Sequence, residues 1–421
     1  HNLRFDKIFF KTKKRILAIG SSKFREDLEY IKNFERYHLF SLDHKWQSLI
    51  TRYFCSTNEV LNYLNNKKNI VFKKESERIQ RFNNQLLKVL NKILKIDLIL
   101  IVNYRYIDDF FWINSFKKIN VKILMLYREG LLANERIYDE VLLRHKNFAG
   151  IKIDYIISPN EIVRKSFLKA NFIESNKIFT AGTLRMDNFL KKIYKLKKQK
   201  LEKINKTKIF VFFDIPDNLS LFGKKFYDIT PKKYSYALKF WDKTIFFLNE
   251  IHNTIIEIAR ENPDLKIIVK PKIYEFHKNK TGLIHNLVKM KKKYRISNLY
   301  ILPFANTHQL ILEADLISGL QSSTLLESLI ADKKIILPIF DYFKNSTHFN
   351  DLFFKDSLEL FNIASNKKEY KNQITKLLQD SNNVKDKNIS QKKILLWNKF
   401  FYSNKPIFKK KYKECIDLIL S

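Results

Sequence analysis

Ala314-Asp-Leu-Ile-Ser-Gly-Leu-Gln-Ser-Ser-Thr-Leu-Leu-Glu-Ser-Leu-Ile-Ala-Asp-Lys-Lys-Ile-Ile-Leu-Pro338 is the stretch on which the reading of this chain turns. Asp315–Ser318 reads as a short buried strand, Gly319 permits a tight turn, and Gln321-Ser322-Ser323-Thr324 opens a helix that runs to Ile330. Lys334–Leu337 is a second apolar run of strand length. Strand, helix and strand in this order make a crossover unit of a parallel sheet. The first amides of a helix have no partner within it and carry the positive end of its dipole. Hydroxyls added at that point make a seat for a phosphate or diphosphate. Capping alone needs one serine, and the Gly-x-Gln-Ser-Ser-Thr cluster offers more than that. Glu327 lies a turn further on, where it can accept a ribose hydroxyl or a base amine. Gly319 and Glu327 are therefore the expected nucleotide contacts, with Gln321, Ser322, Ser323 and Thr324 on the phosphate.

Upstream, the same alternation recurs. Leu265-Lys-Ile-Ile-Val-Lys270 and Ile209-Phe-Val-Phe-Phe213 read as strands, separated by a long helix over about Ser235–Glu261, and Leu299–Leu302 reads as another. Before a lysine-rich helix and linker at Lys191–Lys208 the pattern has already run once. Arg15–Gly20, Tyr37–Leu42, Asn69–Phe72, Asp97–Val102, Val121–Tyr127 and Ile153–Ser158 are expected strands, and Ser76–Ile96 is an expected helix. The fold class is α/β, with two Rossmann-like lobes in tandem and a cleft between them. The expected domains are a first Rossmann-like lobe over 1–200, a second over 201–390, and C-terminal helices over 391–421 that pack back on the first lobe. Ligands of such sheets bind beyond the carboxyl ends of the strands.

A chain of 421 residues, 45% hydrophobic, can bury two cores. Its 79 Lys+Arg against 43 Asp+Glu give a formal charge of +36, a field that attracts polyanions. Lysine dominates, spread along the whole length among Asn, Ile, Phe and Tyr. Nucleic-acid readers concentrate Arg for its bidentate fork and carry a recognisable module. Neither feature is present, so no specific nucleic acid is expected. Two readings of the charge stand: a peripheral hold on an anionic membrane surface, and compositional drift at solvated positions. Cys55 and Cys415 are too few for a disulfide framework or a zinc site, and a cytoplasmic setting follows, with a hold on the inner face of the membrane. No apolar run approaches the roughly 20 residues that span a bilayer. No metal and no bound cofactor is expected.

Other segments carry weaker signals. Lys270, at a strand end, can neutralise a leaving phosphate as a point charge, and Lys272 can share that task. Glu129, followed by Gly130 at the end of a buried strand, is the candidate base for an acceptor hydroxyl; a surface pairing with Arg128 or Arg136 is the alternative. Gly20-Ser21-Ser22 lacks the spacing of a dinucleotide fingerprint. Asp108-Asp109 reads as a cap at a helix start. Asp214 reads as a loop residue or as one that lines the cleft, and His308 as a structural histidine or as one that approaches a nucleobase or phosphate.

Four segments in order resemble bacterial GT-B glycosyltransferases that build surface and capsular polysaccharides. The strand-turn-Ser322-Ser323-helix followed by Lys333–Pro338 looks like their donor-site signature. Lys177-Ile-Phe-Thr-Ala-Gly-Thr-Leu-Arg-Met-Asp-Asn188 is similar to the Gly-x-x-Arg-x-Asp segment of CDP-glycerol glycerophosphotransferases, which places Gly182, Arg185 and Asp187 near the lobe junction; Leu184 stands where that family has Pro. Ile267–Lys272 sits where polysialyltransferase- and Kdo-transferase-like enzymes carry His-Pro, with Lys270 in place of the His. Arg128-Glu129-Gly130 resembles their acidic-acidic-Gly motif with one carboxylate retained. The resemblance implies an inverting, metal-independent enzyme, with the acceptor bound by the lobe over 1–200 and the nucleotide donor by the lobe over 201–390. Its donor would be a nucleotide-activated sugar, CMP-linked in the families named, and its acceptor an oligosaccharide or lipid-linked glycan. The alternative within the resemblance is transfer of glycerol- or ribitol-phosphate from a CDP-alcohol. An alternative of another class is a basic protein that binds nucleic acid without specificity. A nucleotide-sugar 2-epimerase would share the architecture, but no cluster of acids and histidine for it is visible in the sequence.

Overall fold

The computed structural model describes residues 13–421 apart from 25, 56–71, 105–106, 117–118, 131, 133–134, 149–150, 152, 200–206, 215–234, 272–282, 321, 346–348, 351 and 381–386. The chain divides into two compact units, His1–Leu190 with Lys399–Ser421, and Lys191–Asn398. Each is built on one six-stranded parallel sheet flanked by helices.

The first sheet takes strands β1 (Lys14–Ile19), β2 (Tyr37–Leu42), β3 (Leu98–Ile101), β4 (Lys122–Leu126), β5 (Tyr155–Ser158) and β6 (Ile178–Thr180), in the order β2-β1-β3-β4-β5-β6. The second takes β7 (Ile209–Phe213), β8 (Lys266–Lys270), β9 (Leu299–Ile301), β10 (Leu316–Gly319), β11 (Lys334–Pro338) and β12 (Asn362–Ala364), in the order β12-β11-β10-β7-β8-β9. The central strands are continuous apolar runs because helices cover both faces. All four residues of Leu98-Ile-Leu-Ile101 are buried, as are all four of Leu316-Ile-Ser-Gly319. Ser318 is tolerated in that interior because its hydroxyl meets the Tyr370 hydroxyl at 2.6 Å.

One expectation needs correction. The strand expected at Asn69–Phe72 falls mostly outside the described residues, and Phe72 itself begins the helix Phe72–Leu94. The terminal segment consists of the helices Lys387–Phe401 and Phe408–Leu420. Tyr402 at φ +72° and Pro406 interrupt it, since neither a left-handed residue nor a proline continues a helix. The strands Ile178–Thr180 and Asn362–Ala364 are three-residue sheet edges.

Candidate functional site

The second sheet reverses direction between β7 and β10. β8 and β9 follow β7 on one side, and the chain then crosses to start β10 on the other. Helices leave opposite faces of a parallel sheet at such a point, which opens a crevice beyond the carboxyl ends. Phe213, the last residue of β7, pairs with Gly319, the last of β10. A Cβ on Gly319 would lie 3.0 Å from the Phe213 carbonyl oxygen. Glycine is needed here for that close approach. It does not serve as a left-handed turn residue, since Gly20 and Gly182 hold that role among the described glycines.

The helix Ser323–Ile330 starts at this reversal. Ser322 is its N-cap: its Oγ accepts from the Thr324 amide at 3.4 Å and from the Thr324 hydroxyl at 2.8 Å. An oxygen that accepts two bonds directs its own proton elsewhere, and Ser322 is half-exposed at the helix mouth. Ser323 Oγ donates to Glu327 Oε1 at 3.3 Å, and His308 Nε2 lies 3.3 Å from Glu327 Oε2. Glu327 is thus a buried carboxylate held on both oxygens. His308 enters from the first turn of the helix Thr307–Glu313, where Asn306 serves as the cap. This pairing leaves no local mark on the chain, because the partners are joined only by packing of their two helices.

At the end of β7, Asp214 meets His252 Nε2 at 3.1 Å, both buried. The Asp214 amide donates to the Lys270 carbonyl at 3.2 Å, tying the ends of β7 and β8 together. Lys270 stands at the carboxyl end of β8, and its ammonium donates to the Pro303 carbonyl, in the segment after β9, at 3.0 Å. The structure therefore gathers Gly319, Ser322, Ser323, Thr324, Glu327 and Lys270 along one edge of one sheet, with Lys270 two strands from β10. Gln321 and Lys272 lie outside the described residues. Asp214–His252 was hidden in the sequence by a separation of 38 residues.

In the first unit, Glu129 follows β4 and accepts from Asn103, which follows β3, at 3.4 Å. Arg128 turns to Asp27, 3.4 Å from Nε to Oδ2, and donates to the Lys23 carbonyl at 2.5 Å. The Asp108-Asp109 pair does more than cap. It is gripped by the helix His44–Phe54, whose His44 Nε2 and Ser48 Oγ each lie 3.0 Å from Asp108 Oδ2. Lys23 Nζ sits 2.8 Å from Asp109 Oδ1, and Gln47 donates to the same oxygen at 3.3 Å. Burial opposes ionisation at both carboxyls. At Asp108 the bonds from His44, Thr51 and Ser48 outweigh it and hold the pKa below the usual range. At Asp109 desolvation prevails over Lys23 and Gln47, so its pKa is raised.

Gly182, Arg185 and Asp187 form a clamp inside the first unit. Gly182 is at φ +78°, and a Cβ on it would lie 2.3 Å from Phe408 Cε1. Its carbonyl accepts from the Tyr412 hydroxyl at 3.0 Å. The fully buried Asp187 carboxylate accepts the first amides of the helix Phe408–Leu420, Phe408 N at 2.8 Å and Lys409 N at 3.0 Å. The Arg185 amide donates to Asp27 at 3.1 Å.

No family model matches the chain, and no curated protein matches it. Solved structures do. A protein assigned as a UDP-N-acetylglucosamine 2-epimerase from Listeria monocytogenes aligns at a TM-score of 0.53 and 10% identity, over 96% of each chain. Another UDP-N-acetylglucosamine 2-epimerase gives 0.51 at 12% identity, over 98% of this chain and 96% of that one. The enzyme from Neisseria meningitidis, bound to UDP-GlcNAc, gives 0.50 at 14% identity, over 96% of this chain and all 100% of that one. What is shared at such identities is the fold. The likeness extends over 96–98% of this chain and 96–100% of those, so both sheet-based units take part in it.

Proposed function

We propose that this chain is an enzyme that uses a nucleotide-activated sugar, an inverting glycosyltransferase of surface-polysaccharide synthesis with a CMP-linked donor. The observation that carries the reading is the helix mouth at Ser322-Ser323-Thr324, which opens at the reversal point of the second sheet above a buried, doubly held Glu327. An anion at that mouth meets the positive end of the helix dipole and the outward proton of Ser322. Glu327, oriented by His308 and Ser323, accepts a ribose hydroxyl. Lys270 supplies positive charge from the end of β8, two strands away, as the phosphate departs.

In the reaction, the acceptor hydroxyl attacks the anomeric carbon and the carbon–oxygen bond to the donor phosphate breaks, with inversion. Glu129 takes the hydroxyl proton. Negative charge gathers on the leaving phosphate, where the helix amides and hydroxyls stabilise it. The acceptor is an oligosaccharide or lipid-linked glycan, and the basic surface of the chain keeps it at the anionic leaflet that carries such an acceptor.

A second reading is a UDP-sugar 2-epimerase. The full-length likeness to epimerases, one of them bound to UDP-GlcNAc, favours it, as do the buried acid–histidine pairs Asp214–His252 and Glu327–His308. A thermal-shift panel of CMP, CDP, UDP, UDP-GlcNAc, GDP and ADP separates the readings. A ligand at a hundredfold excess over its Kd adds about 2.7 kcal/mol, or roughly 5–10 °C for a unit of about 200 residues. A shift by CMP, lost in Ser322→Ala and Glu327→Ala, supports the transferase. A shift confined to UDP and UDP-GlcNAc, with epimer formed on incubation, replaces it by the epimerase. No shift with any nucleotide overturns both.

A further inference from the structure

The helix His44–Phe54 is turned partly inside out. Its fully buried positions are Gln47 and Thr51, which serve the Asp108–Asp109 cluster, while Trp46, Leu49 and Tyr53 are 59%, 57% and 84% exposed. These three lie at i, i+3 and i+7, on one face of the helix. Water gains nothing from such a face, and the burial of two polar residues behind it fixes which way it points.

The neighbouring helix extends the feature. Phe54 meets Phe82 of Phe72–Leu94 at 5.5 Å between ring centroids, and Phe82, Val89 and Ile93 are exposed along that helix at i, i+7 and i+11. Cations accompany the apolar stripe: Lys45 and Arg52 on the first helix, and Arg78, Arg81, Lys88, Lys92 and Lys95 along and just after the second, all exposed. No Asp or Glu occurs in residues 44–54 or 78–96, about thirty positions that would carry about three at the chain's own density of 43 in 421. Among the described residues no helix is long and apolar enough to cross a membrane.

We infer that this two-helix face is a docking surface for an anionic lipid bilayer. Aromatic and aliphatic side chains enter the headgroup boundary, with Trp46 and Tyr53 suited to an interface that is apolar on one side and wet on the other. The lysines and arginines around them meet anionic headgroups. Charge complementarity selects the occupant: a second copy of this chain, with a net charge of +36 and the same cationic rim, would repel the face, whereas an anionic leaflet neutralises it. The inference does not depend on the identity of the donor nucleotide.

The test is flotation of the full chain with vesicles of phosphatidylcholine alone and with one-third phosphatidylglycerol, at low and high salt. Binding is expected to the anionic vesicles only, weakening as salt rises. Trp46→Ala with Tyr53→Ala, both exposed, is expected to keep the wild-type Tm and lose about tenfold or more in vesicle affinity. Lys292→Glu, on a helix of the other unit, removes charge without touching the face and is expected to change affinity less than about threefold. The inference is overturned if wild type ignores anionic vesicles, if the double variant floats as well as wild type, or if Lys292→Glu weakens binding as much as the double variant. It is equally overturned if wild type is a dimer by size exclusion that the double variant converts to monomer.

Discussion

Asp187→Ala tests whether the Gly182–Asp187 segment is a clamp or a participant in chemistry. The carboxylate is fully buried and accepts two amides from the start of the helix Phe408–Leu420. Removing a side chain that caps the first amides of a helix costs up to about 2 kcal/mol. Leaving a buried amide without an acceptor adds about 1–3 kcal/mol. The net expectation is roughly 3 kcal/mol, since water can reach the Lys409 amide after truncation more easily than that of Phe408. For a unit of about 200 residues this is roughly 6–12 °C in Tm. Asp187→Asn keeps one carbonyl acceptor and loses the charge, so about half that loss is expected. Scanning calorimetry reads the shifts, and limited proteolysis reads release of the C-terminal helix. Nucleotide binding by the second unit should be untouched. A variant that melts with wild type but loses turnover would refute the clamp and return Asp187 to the reaction.

Two further outcomes follow from the geometry. Gly319→Ala places a methyl 3.0 Å from the Phe213 carbonyl, so β10 and β7 must separate by a few tenths of an ångström. A loss of about 1–3 kcal/mol is expected, with weaker nucleotide binding in the thermal-shift panel; unchanged affinity would detach the reversal point from the ligand. Asp417 provides a pH handle. Burial disfavours its ionised form, but hydrogen bonds from Tyr37, at 2.5 Å, and Lys413, at 2.9 Å, together with Arg36, outweigh that and hold its pKa below the ordinary value. The folded state therefore binds the proton less readily than the unfolded one. The stabilisation is complete above the unfolded value of about 3.9 and is lost as pH falls through the lower, folded value. Asp417→Asn should flatten the acid limb of the melting profile; an unaltered limb would show that the contact carries no linkage.

Much of the fold was legible because a strand buried on both faces needs a continuous apolar run, and a helix must start with a capping residue. Leu316–Gly319 and Ser322–Ile330 satisfy both requirements locally, so their order and type could be read without coordinates. The same reasoning misread Phe72, which begins a helix, and could not place the break between the C-terminal helices, where Tyr402 adopts a left-handed φ for which its type gives no warning.

What sequence alone determined was the repeated alternation of strand and helix, the break between two such series, and the hydroxyl cluster after β10. The tertiary structure alone decided which strands are neighbours, and hence that this cluster stands at the reversal between β7 and β10. It also decided that Glu327 is held by His308, that Asp214 finds His252, and that Trp46 and Tyr53 face outward while Gln47 is buried. The reason is one of range. Hydrogen-bond periodicity and capping act within a few residues and leave their mark on local residue types, whereas the pairing of side chains from different helices is chosen by packing across tens of residues and leaves none.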